Sequence, residues 1–244
     1  MPQTDTTDKL QKLLESSLDR SNYAELAREV YDSFRTVDQG HDYVRKLRDE
    51  LDEASGDEAR DLHERLGIIL YVLGEYEEAA PHLAEVKSRK RASHFLGRTY
   101  RELGRWEEAI SALEDGREGE DDFTTDMIVG EVLCQQRKPE EAEEICNKHA
   151  SAHSDEPDWL YLKGRVLETQ GRYGEAMAQY EEAIDADPSH RKSLFRLALN
   201  CDLNGEDERA MTLYKKCTTL KPTFLGALIN LGVLHEDRRE FEEA

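Results

Sequence analysis

Apolar residues recur along the chain at helical spacing, and the same arrangement returns about every 34 residues. In residues 171–188, GRYGEAMAQYEEAIDADP, Tyr173 is followed three positions later by Ala176. Tyr180 continues the same face of a helix, and Pro188 ends it. The pattern therefore predicts an amphipathic helix that buries one face and is repeated along the chain.

The alanine of this core recurs at steps of 30, 33, 34, 34 and 34 residues. A small residue on the preceding helix and a glycine at the turn accompany it in most copies, and in the third copy Arg137 and Pro139 replace the glycine and the aromatic. The short first step predicts a shortened second helix or turn at residues 85–90. The six aligned alanines are Ala79, Ala109, Ala142, Ala176, Ala210 and Ala244.

This pattern resembles the tetratricopeptide repeat family over residues 57–244. The resemblance implies an all-α solenoid, a right-handed superhelix of antiparallel helix pairs. In such pairs a small residue such as Gly97 or Gly164 lets the two helices approach closely, and the aromatic fills the gap to the next repeat. A single pair cannot bury its apolar face alone, so neighbouring pairs must stack.

The two ends of the chain fit the pattern less well. Residues 1–56 keep apolar residues at helical spacing, with Asn22 and Glu25 as a capping pair, and are predicted to form a helical N-terminal cap with a degenerate repeat. Residues 57–244 are predicted to form an array of about six repeats. Because Ala244 falls in the middle of a second helix, we expect the array to be truncated inside its last repeat, as in a fragment of a longer protein.

Composition narrows the classes of partner. The chain has 33 basic and 54 acidic residues, a net charge of -21, which disfavours contact with nucleic acid phosphates. The longest apolar run, residues 66–74, is too short to span a bilayer, and the first residues do not read as a secretory signal. We therefore expect a cytoplasmic protein with no membrane or nucleic acid partner.

Candidate chemistry is sparse. The four cysteines form no CxxC pair and are expected to be free, buried thiols. Cys146, His149 and His153 have a spacing that could suit zinc, but Cys146 matches the core position of Tyr180, so no metal site is predicted. Phosphate-binding loops and nucleophile motifs are absent from the sequence. We therefore predict no enzymatic activity, no cofactor and no small-molecule substrate.

One segment departs from the acidic balance: residues 87–105 hold seven basic side chains and one acidic one. Arg91, His94, Arg98 and Arg101 are spaced three, four and three apart, so they share one face of a helix. In the family, this face of the first helix lines the concave groove, where partner segments bind. The arginines are therefore expected to project into the groove, away from the packed face.

The matching face of later copies is also cationic and aromatic. Guanidinium groups pair bidentately with carboxylates, so the predicted partner is an acidic protein or peptide segment. The alternative is that the arginines only neutralise acids of the chain itself, such as Glu102. The later candidates for binding are Tyr161, Arg165, Lys192, Phe195 and Arg196.

The predicted function is a non-catalytic protein-interaction scaffold. A rival hypothesis makes the chain a regulatory arm of a longer protein. Its effector domain, similar to the C-terminal domain of the RNA polymerase α subunit, would then lie beyond residue 244.

Overall fold

The computed structural model describes residues 29–30, 37–117, 119, 121–220 and 225–237, and every regular element in these ranges is an α-helix. This confirms the predicted all-α class. In chain order the helices are α1 (Val37–Glu53), α2 (Gly56–Leu73), α3 (Tyr76–Glu85), α4 (Lys90–Glu102), α5 (Trp106–Asp115), α6 (Phe123–Gln135), α7 (Pro139–His153), α8 (Pro157–Thr169), α9 (Tyr173–Ala186), α10 (Arg191–Leu203), α11 (Asp207–Thr219) and α12 (Leu225–Asp237).

The chain forms two compact units, Met1–Val132 and Leu133–Ala244. In the first unit α2 packs on α3 and α4 on α5 as helical hairpins, while α3 contacts α4 and α2 also contacts α4. In the second unit α8 packs on α9 and α10 on α11, while α9 contacts α10 and α11 contacts α12. Within each unit, therefore, successive hairpins stack in chain order, as the repeat pattern predicted.

Some predictions for the ends of the chain lie outside the described residues. These concern most of residues 1–36, including Asn22 and Glu25, and the final residues Phe241 and Ala244. Helix α1 packs against α2, across the predicted boundary after residue 56. The division into a cap and an array stays a prediction.

The two helices of a hairpin approach each other most closely at one small residue. A Cβ atom on Gly97 would lie 2.4 Å from Cγ of Leu113 and 3.0 Å from the carbonyl oxygen of Ala109. A Cβ atom on Gly164 would lie 2.5 Å from Cε1 of Tyr180, a fully buried side chain. Even the smallest side chain would push the paired helices apart, which confirms the predicted role of these glycines.

The turn inside each hairpin requires a left-handed backbone conformation. Gly171 has φ of +80°, which glycine adopts without steric cost. In the third copy Arg137 takes this position with φ of +59°, the one non-glycine residue with positive φ in the described part of the chain. The turn is thus kept even where the glycine is lost, at a cost in backbone strain.

The aromatic position behaves differently from one copy to another. Tyr76 packs against Tyr71 of the same hairpin, with ring centroids 5.7 Å apart. Tyr173 is 52% exposed, so the expectation that the aromatic fills a gap is wrong for that copy. The reason is local: residues 171–175, the turn and first helical residues around Tyr173, are all exposed.

Two histidines meet between the helices of the first hairpin. Nδ1 of His63 on α2 lies 2.9 Å from Nδ1 of His82 on α3. A hydrogen bond between two imidazole nitrogens needs one donor and one acceptor, so it is lost when both rings are protonated. Burial lowers the pKa of His82, as do His63 and Arg48, while Glu78 acts in the opposite direction.

Among the described residues, none of the helices combines the length and apolarity needed to cross a bilayer.

Gly164→Ala should destabilise the chain by about 1–3 kcal/mol, because the added methyl group overpacks the contact with Tyr180. Gly174→Ala is the matched control, since a Cβ atom there meets nothing within 4 Å and α9 gains helix propensity. Urea unfolding followed by circular dichroism measures both. Equal midpoints for the two variants would contradict the close approach of α8 and α9.

Arg137→Gly should stabilise the chain by about 1 kcal/mol, because glycine removes the strain of positive φ. Gly171→Ala, at the equivalent turn with free space around it, should have the opposite sign. Thermal midpoints test both changes. A loss of stability in Arg137→Gly would show that the arginine side chain outweighs its backbone strain.

The folded chain should also become less stable at acidic pH, because the His63–His82 pair becomes protonated. Because the pKa of His82 is lower in the folded chain than its ordinary value of about 6.5, the unfolded chain binds more protons below that pH. The stabilisation is therefore complete above about pH 6.5 and is lost as pH falls through the folded pKa. Urea midpoints at about pH 7.5 and about pH 5.5 should differ more for wild type than for His82→Gln; an equal loss would refute this coupling.

Candidate functional site

The basic row of the first unit lies on α4, as its spacing predicted. It consists of Arg91, His94, Arg98 and Arg101 and is called the first row. Arg91 and His94 are buried, and Arg98 and Arg101 are partly buried. The expectation that the arginines project freely into a groove is wrong for Arg91 and Arg101, because both are paired with acids inside the unit.

Arg91 is bound to a buried acid of the preceding hairpin. Its Nε donates to Oε1 of Glu64 at 2.8 Å, and the Arg91 and Glu64 side chains are only 7% and 2% exposed. Nη1 of Arg89 donates to the other oxygen, Oε2, at 2.9 Å. Buried charges persist where they are paired and hydrogen-bonded, so Glu64 ties α4 to α2 and takes up the charge of Arg91.

Arg101 is paired in the opposite direction along the stack. Its Nη1 donates to Oε2 of Glu131 on α6 at 3.0 Å, and its Nη2 donates to Oε1 of Glu102 at 2.6 Å. Burial alone would lower the pKa of Arg101, but Glu131 and Glu102 raise it above its usual value. The neighbouring acids named as an alternative at the sequence level therefore do neutralise this arginine.

Arg98 differs from its two arginine neighbours. Within the residues that the structure describes, it forms no ion pair, and its buried Nε has no hydrogen-bond partner. It lies one turn from Arg101 on the same face of α4. Among the arginines of the first row, Arg98 has the charge that the fold does not compensate.

The later candidates, Tyr161, Arg165, Lys192, Phe195 and Arg196, lie on α8 and α10 of the other unit and are called the second row. Nη1 of Arg165 donates to the hydroxyl of Tyr161 at 3.3 Å, and both side chains are buried. The ammonium of Lys192 lies 5.3 Å from the centroid of the Tyr161 ring and 3.6 Å from Oδ1 of Asp158. Tyr161 thus has the ammonium of Lys192 over its ring and accepts a hydrogen bond from the buried guanidinium of Arg165.

One carboxylate, that of Glu168, serves both arginines of this row. Nη1 of Arg196 lies 3.3 Å from its Oε1, and Nε of Arg165 lies 3.6 Å from its Oε2. The hydroxyl of Tyr180 donates to Oε2 at 2.6 Å, and burial, with Glu168 next, raises the pKa of Tyr180. Two guanidinium charges therefore share one carboxylate charge.

Sequence reasoning singled out Phe195 but missed the apolar side chains that continue its row. Leu203 is 74% exposed, and Ile229 and Val233 are 55% and 50% exposed. The signal was present in the repeat spacing, since Ile229 lies 34 positions after Phe195. These positions were not predicted because their side chains are aliphatic, whereas the predicted binding residues are cationic or aromatic.

The cysteine and histidines considered for zinc all lie on α7. Cys146 and His149 are buried, and burial raises the pKa of the Cys146 thiol to about 12. The rings of His149 and His153 pack edge to face, with centroids 5.7 Å apart. In the described ranges, no cluster of three or more metal-binding side chains is found.

Comparison with known proteins adds to this geometry. Two family models described as tetratricopeptide repeat match the chain, one over residues 136–191 and 161–223 and the other over residues 92–118. Photosystem I assembly protein Ycf3 of Prochlorococcus marinus (strain NATL1A) is 33% identical over 81 residues, which cover 32% of this chain and 47% of that protein. The peroxisomal targeting signal receptor of Yarrowia lipolytica is 30% identical over 79 residues, which cover 32% of this chain and 13% of the receptor. The chain thus spans about half the length of Ycf3 and 13% of the length of the receptor.

Solved structures show the same fold. A tetratricopeptide repeat protein from Parabacteroides merdae superposes with a TM-score of 0.61 at 17% identity, covering 98% of this chain and 89% of that one. A thermophilic tetratricopeptide repeat protein of Thermus thermophilus gives 0.59 at 19% identity, covering 72% of this chain and 98% of that one. Stacked helical hairpins, a small residue at each close contact and the matched family models together make the chain a tetratricopeptide repeat protein.

Proposed function

We propose that the chain is a non-catalytic scaffold that binds an acidic segment of a partner protein on the exposed faces of its first helices. The matched tetratricopeptide repeats support protein binding. The names of the relatives, an assembly protein and a targeting signal receptor, are consistent with this function.

The charge imbalance of the second row is the observation that carries the acidic partner. Arg165 and Arg196 are two guanidinium cations, and within the described residues the carboxylate that pairs with both is that of Glu168. The cluster therefore keeps one positive charge in excess. The Arg196 side chain is 23% exposed, so part of this charge is accessible to a ligand.

The overall charge of -21 does not prevent such binding. At physiological salt, charges more than about 8 Å apart are largely screened from one another. A bound carboxylate would therefore interact mainly with the nearest side chains, which are the cations of the row. The global field would act on the approach of the partner more than on the bound state.

The first row contributes differently. Arg98 is its accessible cation, whereas Arg91 and Arg101 hold the stack together through Glu64 and Glu131. Reversing Arg101 would break its partly buried ion pair with Glu131 and place two carboxylates together, so loss of folding would obscure the result of a binding assay. The second row is the better place to test the function.

Lys192→Glu with Arg196→Glu should weaken binding of a fluorescent peptide of Glu, Asp and Ser by at least about tenfold. The matched control is Lys215→Glu with Lys216→Glu, an equal charge change at exposed positions of α11. The control should bind within about twofold of wild type. Circular dichroism confirms that each variant is folded, and fluorescence anisotropy measures Kd.

A lysine counterpart of the peptide tests the sign of the charge. It should bind more weakly than the acidic peptide, and binding of the acidic peptide should fall as salt rises and the Debye length shortens. If the acidic and basic peptides bind equally, or if the α11 control loses as much affinity as the row variant, the proposed function is wrong.

A further inference from the structure

Large apolar side chains lie partly or fully exposed on two helices of the second unit, α10 and α12. Phe195, Leu199 and Leu203 recur every fourth residue along α10, so they share one face of the helix. Phe195 and Leu199 are partly buried, and Leu203 is exposed. Ile229 and Val233 on α12 are also exposed and also four residues apart. Phe195, Leu199, Leu203, Ile229 and Val233 are called the apolar row below.

The two helices present equivalent faces. Ile229 and Val233 lie 34 positions after Phe195 and Leu199, which is the repeat period. The corresponding residues on α8, Tyr161 and Arg165, are buried. The side chains at these two repeat positions are therefore buried on α8, partly buried on α10 and exposed on α12.

Tyr214 of α11 joins the two faces. Its ring centroid lies 5.9 Å from that of Phe195, and its hydroxyl accepts a hydrogen bond from Nδ2 of Asn230 at 3.0 Å. Phe195 and Asn230 thus contact opposite parts of one buried side chain. Tyr214 therefore holds both α10 and α12, and the residue that it contacts on α12 is next in sequence to Ile229.

The apolar row borders the cations of the proposed binding surface. Lys192, Phe195, Arg196 and Leu199 follow one another along α10 at spacings of three, one and three. Lys192 and Arg196 are therefore within one turn of the first apolar side chains. A ligand that met the positive charge of the cluster would therefore lie beside the first side chains of the apolar row, Phe195 and Leu199.

We propose that the second unit recognises an acidic protein segment that carries bulky apolar residues close to its carboxylates. This inference rests on the proposed function and specifies its ligand: the carboxylates meet Lys192 and Arg196, and the apolar residues cover the apolar row. Charge complementarity sets the orientation and the association rate, and burial of the apolar side chains slows dissociation.

Three synthetic peptides of about twelve residues separate these contributions. The first contains Glu and Asp with one Phe and one Leu; the second has Ser in place of Phe and Leu; the third keeps Phe and Leu but has Gln and Asn in place of the acids. The first should bind wild type at least about tenfold more tightly than either of the others. Fluorescence anisotropy gives Kd, and circular dichroism shows that every protein variant is folded.

Ile229→Ser with Val233→Ser should remove most of the difference between the first and second peptides. Tyr173→Ser is the matched control, because Tyr173 is 52% exposed on α9 in the same unit, outside the apolar row. The control should keep the full difference. Both sets of substitutions lie at exposed positions, so neither should prevent folding.

The possible failures are distinguishable. If the first two peptides bind equally well and both depend on Lys192 and Arg196, the proposed function stands and the apolar contribution is wrong. If neither acidic peptide binds, both proposals fail. If sedimentation shows that wild type self-associates and that Ile229→Ser with Val233→Ser makes it monomeric, the apolar row is an interface between copies of the chain, and the inference is overturned.

Discussion

The structure depends on the close approach of two helices at one small residue in each hairpin. Gly67 meets Leu83, Gly97 meets Leu113, and Gly164 meets Tyr180, each at a distance that leaves no room for a Cβ atom. Close packing of the pair leaves one apolar side uncovered, and only the next hairpin can cover it. The stacking within each unit and the regular placement of the first-helix faces both follow from this contact.

Stacking also decides what a charged residue on a first helix can do. On α4, Arg91 and Arg101 meet Glu64 and Glu131 of the neighbouring first helices, so their charges stabilise the stack. On α8 and α10 two arginines share Glu168, so this pair of arginines keeps a net positive charge. Similar basic rows in the sequence thus have different roles, determined by the number of acids that the adjacent helices supply.

The periodic features could be predicted from sequence because each copy repeats the same local requirements. The helices, the small residues at Gly97 and Gly164 and the turn at Gly171 all follow from the repeat. The burial of Arg91 could not be predicted, because its partner Glu64 lies 27 residues away on another helix. The exposed Ile229 could have been found by applying the repeat period to Phe195, but the search for charge gave no weight to apolar positions.

The central claim is that ligand recognition lies on α10 and α12, while the basic row of α4 is mainly structural. Amide hydrogen exchange of the native chain, with and without the acidic peptide that carries Phe and Leu, tests it most directly. The account predicts slower exchange in Arg191–Leu203 and Leu225–Asp237 and unchanged exchange in Lys90–Glu102. Protection confined to Lys90–Glu102 would contradict it.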